Sequence, residues 1–162
     1  MNTETLCDRA RRIASAVVDP ELPVLSIGDL GVLRDVTVVE GHIEVAITPT
    51  YSGCPAMNTI VHAIETALAN AGLPPARVNI VLSPAWTTDW ISEDGRRKLQ
   101  AYGIAPPARR IGRLALFGRE SVACPQCGSH DTTRIAEFGS TSCKALWRCA
   151  TCREPFDYFK CH

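Results

Sequence analysis

No charge of either sign dominates this sequence: 17 basic residues stand against 17 acidic ones, for a formal net charge of zero. That balance removes the electrostatic pull toward nucleic acid or an anionic membrane that a basic chain would exert. Apolar runs stay well short of the roughly 20 residues a spanning helix needs, so no membrane is expected as a partner. The opening stretch MNTETLCDRARRIASAVV lacks the basic-then-apolar order of a signal peptide, and a cytoplasmic location is expected. Internal repeats and low-complexity tracts are missing. Histidines number four, and none makes a readable dyad with a nucleophile, as covalent catalysis would require. The absence of such a base points away from an enzyme.

What the chain does have is cysteine, eight in 162 residues. In a reducing compartment thiols signal metal or redox chemistry rather than disulfides. Their distribution is uneven: Cys7 and Cys54 stand alone, and the other six crowd between Cys124 and Cys161. The length suits one small domain plus a mini-domain.

Periodicity predicts a helix over 3–18, with Leu6, Ala10, Ile13 and Val17 on one face. The prolines of DPELP end it. Strands follow at about 32–39 and 42–48, joined at EGH as a hairpin. A helix over 55–71 carries a stripe of Met57, Ile60, Val61, Ile64, Ala67 and Leu68, and Gly72 stops it. RVNIVLS (77–83) reads as a third strand, and strand–helix–strand order implies a parallel crossover. Ser92 should cap a further short helix, with acids in its first turn. The expected architecture is α+β: a small mixed three-stranded sheet packed with helices over 1–105, a linker over 106–120, and a small β zinc ribbon over 121–162.

The ribbon rests on spacing. CPQC (124–127) and CATC (149–152) give C-x2-C-x21-C-x2-C, with β-formers between the pairs. Four thiolates in two knuckles match a tetrahedral zinc site, with Cys124, Cys127, Cys149 and Cys152 as ligands. A tail of about 40 residues buries too little core to fold alone, so the metal would supply most of its stability. Cys143 and Cys161 remain. They read either as small buried hydrophobes or as a disulfide or secondary metal-capable pair across the ribbon.

Cys54 stands where TPTYSG turns into the second long helix. Pro55 suits the first helical position, which would make Cys54 the N-cap, its sulfur facing unsatisfied backbone N–H groups. That placement predicts a depressed thiol pKa and a functional thiolate; a buried structural cap is the alternative. Asp19, Glu21 and Asp29 form an acidic, turn-rich stretch: either turn and helix caps, or a set that places a carboxylate beside Cys54. Trp86 and Trp90 read as core closure or as a docking face.

These segments carry a resemblance. VVDPELPVLSIGDLGVL, TPTYSGCPAM and PAWTTDWISEDGRRKLQAYGIAPP resemble the iron–sulfur carrier and assembly family that includes SufT. With the ribbon ending GSTSCKALWRCATCREPFDYFKCH, almost the whole chain resembles the small accessory-subunit family of the multicomponent phenylacetyl-CoA epoxidase. The resemblance implies a non-catalytic role in aerobic phenylacetate degradation: assembling or repairing a metal centre. It implies a transient iron or iron–sulfur cluster carried by Cys54, supported by Asp19, and a structural zinc in the ribbon. Implied partners are the oxygenase and the iron–sulfur flavin reductase subunits, or a second copy in a homodimer, because one cysteine cannot complete a cluster that takes four protein ligands. Two rivals stand beside it, a purely structural subunit of the oxygenase complex and, more remotely, a nucleic-acid-binding ribbon. The zero net charge and the lack of a basic, aromatic-interleaved stripe weigh against nucleic acid.

Overall fold

The computed structural model describes residues 4–107 and 122–160. The expected linker beyond Pro107, and Cys161, lie outside these residues. The chain forms two compact units that divide between Trp86 and Thr87.

The first unit contains α1 (Leu6–Ser15), α2 (Ile27–Leu30), β1 (Leu33–Val39), β2 (His42–Ile47), α3 (Ala56–Asn70) and β3 (Ala76–Ile80). A capping box starts α1: the Thr5 hydroxyl accepts the Asp8 N–H, and the Asp8 carboxylate accepts the Thr5 N–H. The helix buries the small side chains Ala10 and Ala14 and leaves Leu6 exposed, so its large apolar residues sit to one side of the face that periodicity suggested. β1 and β2 pair antiparallel through Val39↔His42, leaving a two-residue turn in which Glu40 and Gly41 have φ of 48° and 80°. Left-handed backbone at both positions matches the twist of a hairpin. β3 runs parallel to β2, from Ile43↔Ala76 to Ile47↔Ile80, with α3 as the crossover. Ile43, Val45 and Ile47 alternate into the interior, shared with Ile60, Ile64 and Leu68 of α3 and with Leu25, Ile27 and Leu30. Each such side chain contributes about 1.5–3 kcal/mol.

The second unit contains a 3-10 turn (Thr88–Trp90), α4 (Glu93–Ala101), β4 (Ile104–Ala105), β5 (Thr132–Ala136), β6 (Lys144–Cys149) and β7 (Pro155–Phe159). Ser92 caps α4 by accepting the Gly95 N–H, and Glu93 and Asp94 fill the first turn, as predicted. The sheet has four strands in the order β4-β7-β6-β5, three from the expected ribbon and one from the chain before it. The addition is β4, which pairs parallel with β7 through Ile104↔Asp157 and Ala105↔Tyr158. Gly103, at φ 84°, ends α4, and the two buried residues after it need a strand edge for their backbone groups. Residues 87–105, read from the sequence with the first domain, therefore pack with the ribbon. On one side of this sheet Ala145, Trp147, Phe156 and Tyr158 form a core with Ala105 and Val122. Trp147 and Tyr158 meet edge to face, with ring centroids 5.8 Å apart at 73°.

Candidate thiol site and metal centre

The parallel pairing of β2 and β3 creates the first site. β2 ends at Ile47, whose carbonyl accepts the Val81 N–H at 2.8 Å, and Thr48 donates its N–H to the Val32 carbonyl. The chain then turns through TPTYSG to reach α3, so Cys54 lies at the carboxyl end of the parallel pair. Crevices at such strand ends are where open α/β sheets bind their ligands. Gly53 takes φ 77°, a value that needs glycine, and the Cys54 N–H donates to the Tyr51 carbonyl.

Cys54 is not the cap of α3. That position falls to Pro55, whose backbone is already helical at φ −69° and ψ −19°, and no side chain caps the helix. The expected drop in pKa is also overturned. Burial pushes the half-buried thiol up, and the charges of Glu21 and Asp19 add to this. The Ala56 N–H and the Tyr51 side chain hydrogen-bond the sulfur and pull the other way, without prevailing. Desolvation disfavours the charged form and here outweighs the helix end. Cys54 is therefore a thiol at neutral pH, in acidic surroundings that favour a cation over an anion.

Asp19 is a turn-capping residue in this structure. It is buried, and one oxygen accepts the N–H groups of Glu21 and Leu22 at 2.7 and 2.9 Å, which fixes the DPEL turn. The same carboxylate acts electrostatically on Cys54. Asp29 closes a capping box with Ser26 at the start of α2. Tyr51 and Thr48 escaped the sequence reading, while Glu21 already stood in its acidic set. Glu21 reaches Cys54 more strongly than Asp19 does, and Tyr51 hydrogen-bonds its sulfur. Thr48, at the strand end, is buried with a hydroxyl that lacks a hydrogen-bond partner among the described residues. Tyr51 and Thr48 were legible only as neighbours in TPTYSGC. Trp86 is buried and donates its indole N–H to the Leu30 carbonyl at 2.8 Å; it closes the core and offers no docking surface. Trp90 is half-buried in the 3-10 turn of the other unit.

The second site lies in the ribbon. The sulfurs of Cys124, Cys127, Cys149 and Cys152 all fall within 4.8 Å of one another, with Cys124–Cys152 at 3.7 Å and Cys127–Cys149 at 3.6 Å. Four thiolates at about 2.3 Å from a central tetrahedral ion stand about 3.8 Å apart, so the set fits one metal ion. Each knuckle has its own backbone support. Gly128 at φ 75° lets its N–H reach the Cys124 carbonyl, and the Cys152 N–H donates to the Cys149 sulfur. That N–H lowers the Cys149 thiol to about 6, while burial and the sulfurs around it push Cys152 up to about 12. Cys143 is buried, with the Thr141 hydroxyl 3.0 Å from its sulfur, and its carbonyl accepts the Lys160 N–H.

The chain thus combines two modules, an α+β domain with a thiol at its strand ends and a four-cysteine ribbon. Comparison with known proteins agrees: residues 10–82 match the family described as iron–sulfur cluster assembly protein, and residues 112–160 match the PaaD zinc beta ribbon domain. A protein of Escherichia coli K12 named as a component of 1,2-phenylacetyl-CoA epoxidase is 51% identical over 149 residues, spanning 92% of this chain and 89% of that protein. The Fe–S protein maturation auxiliary factor SufT of Staphylococcus aureus USA300 is 41% identical over 78 residues, 47% of this chain and 88% of its own length. The crystal structure of a DUF59 domain from Bacillus anthracis superposes with a TM-score of 0.55 at 29% identity, covering 58% of this chain and 91% of that one. The chain belongs to the PaaD family of phenylacetyl-CoA epoxidase components.

Proposed function

We propose that the chain is an accessory maturation factor for the multicomponent phenylacetyl-CoA epoxidase, assembling or delivering an iron or iron–sulfur centre through Cys54. It acts in the cytoplasm and catalyses no epoxidation itself. The observation that carries this reading is the position of Cys54: at the strand ends of a domain whose relatives include a maturation factor, with Asp19 and Glu21 acting on its sulfur. An incoming iron cation displaces the thiol proton and is drawn by the two carboxylates. Thiolate and carboxylate from one chain leave its coordination incomplete, so cargo can pass to a client or be shared with a second copy. The ribbon over 121–162 takes a structural zinc ion through Cys124, Cys127, Cys149 and Cys152, and with Trp90 it serves for docking on the oxygenase or the iron–sulfur flavin reductase. Cys143 with Cys161 remains a candidate pair within it.

Anaerobic purification of wild type beside Cys54→Ala, with metal and acid-labile sulfide measured, tests the reading. The expected result is about one zinc per chain in both and iron only in wild type. Full epoxidase activation by Cys54→Ala would sink it. The exposed Ile135 and Phe138 on the ribbon favour a second reading, a docking component of the oxygenase. Stoichiometric co-purification with the oxygenase, indifferent to Cys54, would be its mark.

A further inference from the structure

The face of the ribbon sheet opposite the aromatic core holds a cavity of about 430 Å³. Its walls come from β4, β6, β7 and the turn at Ser140: Ile104, Leu146 and Pro155 are apolar, and Lys144, Asp157 and Ser140 are polar. A few polar groups set among apolar walls at this volume are typical of small-ligand sites. Lys144 is the unusual member. Its side chain is only 8% exposed, yet its ammonium reaches Asp157 Oδ2 at no better than 3.8 Å and makes no hydrogen bond among the described residues. An ammonium carries three donors, and those of Lys144, which meet no close protein acceptor, are left to the cavity it lines. Asp157 is better held: the Ser140 hydroxyl donates to it at 3.3 Å, and its Oδ1 packs against Gly139, where an added Cβ would come within 2.6 Å. A loop that needed only a cross-strand ion pair would close the gap to Lys144; here the gap opens on the cavity.

We propose that this cavity binds a small neutral ligand that carries a carboxamide on an apolar body, with the carbonyl accepting from Lys144 and the amide N–H donating to Asp157. The charge balance selects that chemistry. Lys144 and Asp157 already neutralise each other, so a carboxylate ligand adds an uncompensated negative charge beside Asp157, and an amine adds a positive one beside Lys144. An amide satisfies both partners and leaves the site neutral, while Ile104, Leu146 and Pro155 take a branched or aromatic group. This site is separate from Cys54 and does not depend on the maturation role.

The test titrates the metal-loaded, 15N-labelled full chain with N-acetyl-leucinamide, N-acetyl-leucine and isopentylamine, following backbone amide signals. The neutral amide should give saturable shifts at Ile104, Ser140, Leu146 and Asp157 and bind more tightly than the acid or the amine. Lys144→Met, apolar and of similar reach, should weaken its binding about tenfold or more, as loss of a charged hydrogen bond does. Ser140→Ala, on an exposed turn where folding is not at risk, leaves Asp157 without its hydroxyl donor and should tighten binding about threefold. Lack of saturation by the amide, unchanged affinity in a folded Lys144→Met protein, unchanged affinity in Ser140→Ala, or strongest binding by the acid would each overturn the proposal and leave Lys144–Asp157 as a structural pair or an anion site.

Discussion

Cys54 illustrates how a turn can be legible in the sequence while the cap position and the chemistry of its side chain are not. The Gly-Cys-Pro turn was plain in the sequence, because Gly53 and Pro55 restrict the backbone on either side. The sign of the pKa shift was not, because it comes from burial and from two carboxylates more than 30 residues away in the chain. The raised pKa keeps the sulfur protonated until the pH passes above the ordinary thiol range. Alkylation of Cys54 by iodoacetamide, followed by peptide mass spectrometry, should therefore be slower at pH 7 than that of a free cysteine and should climb only in alkaline solution. Glu21→Gln should speed it at every pH below that range, since one opposing charge is gone. A rate that levels off below pH 8 would instead restore the helix-cap picture. Trp86 makes a complementary case. Its indole fills the interior and bonds the Leu30 carbonyl. Trp86→Ala should lower stability by about 3–5 kcal/mol in urea denaturation, whereas Trp86→Phe should cost about 1 kcal/mol, the worth of the hydrogen bond.

Elements with a strong local signal were legible, and those defined by their neighbours were not. The stripe of α3, the hairpin at Glu40–Gly41 and the two knuckles follow from spacing and glycine placement alone. β4 is two residues long, too short for any period to show, and exists because β7 offers it an edge. The buried face of α1 was read only in part: Ala10 was placed on it, but Ala14, which carries little hydrophobic signal, was missed and Leu6 proves exposed. The knuckles also bear on stability. Stripping the metal with a chelator, or replacing Cys149 by Ser, should collapse the amide signals of β5, β6 and β7 while those of α1, α3 and β1–β3 persist. Signals that vanished together would mean that the two units unfold as one.

At the scale of the molecule, two hydrophobic interiors share one chain, and their dependence on metal should differ. Residues 1–86 bury ordinary apolar side chains, and a maturation factor related to this region is covered for 88% of its own length by 78 residues of alignment. Expressed alone, residues 1–86 should melt cooperatively without metal, and residues 87–162 should do so only with it; circular dichroism with and without chelator decides. The matched family regions end at residue 82 and resume at residue 112, yet Ile104 and Ala105, in the interval, complete the second sheet. Recombination at the motif boundary would therefore strand half a partner. A chimera that grafts the ribbon from residue 121 onward leaves β7 with a bare, aggregation-prone border. A chimera cut between Trp86 and Thr87 carries the border strand with it, so the exchangeable piece of this protein is longer than the piece its cysteines advertise.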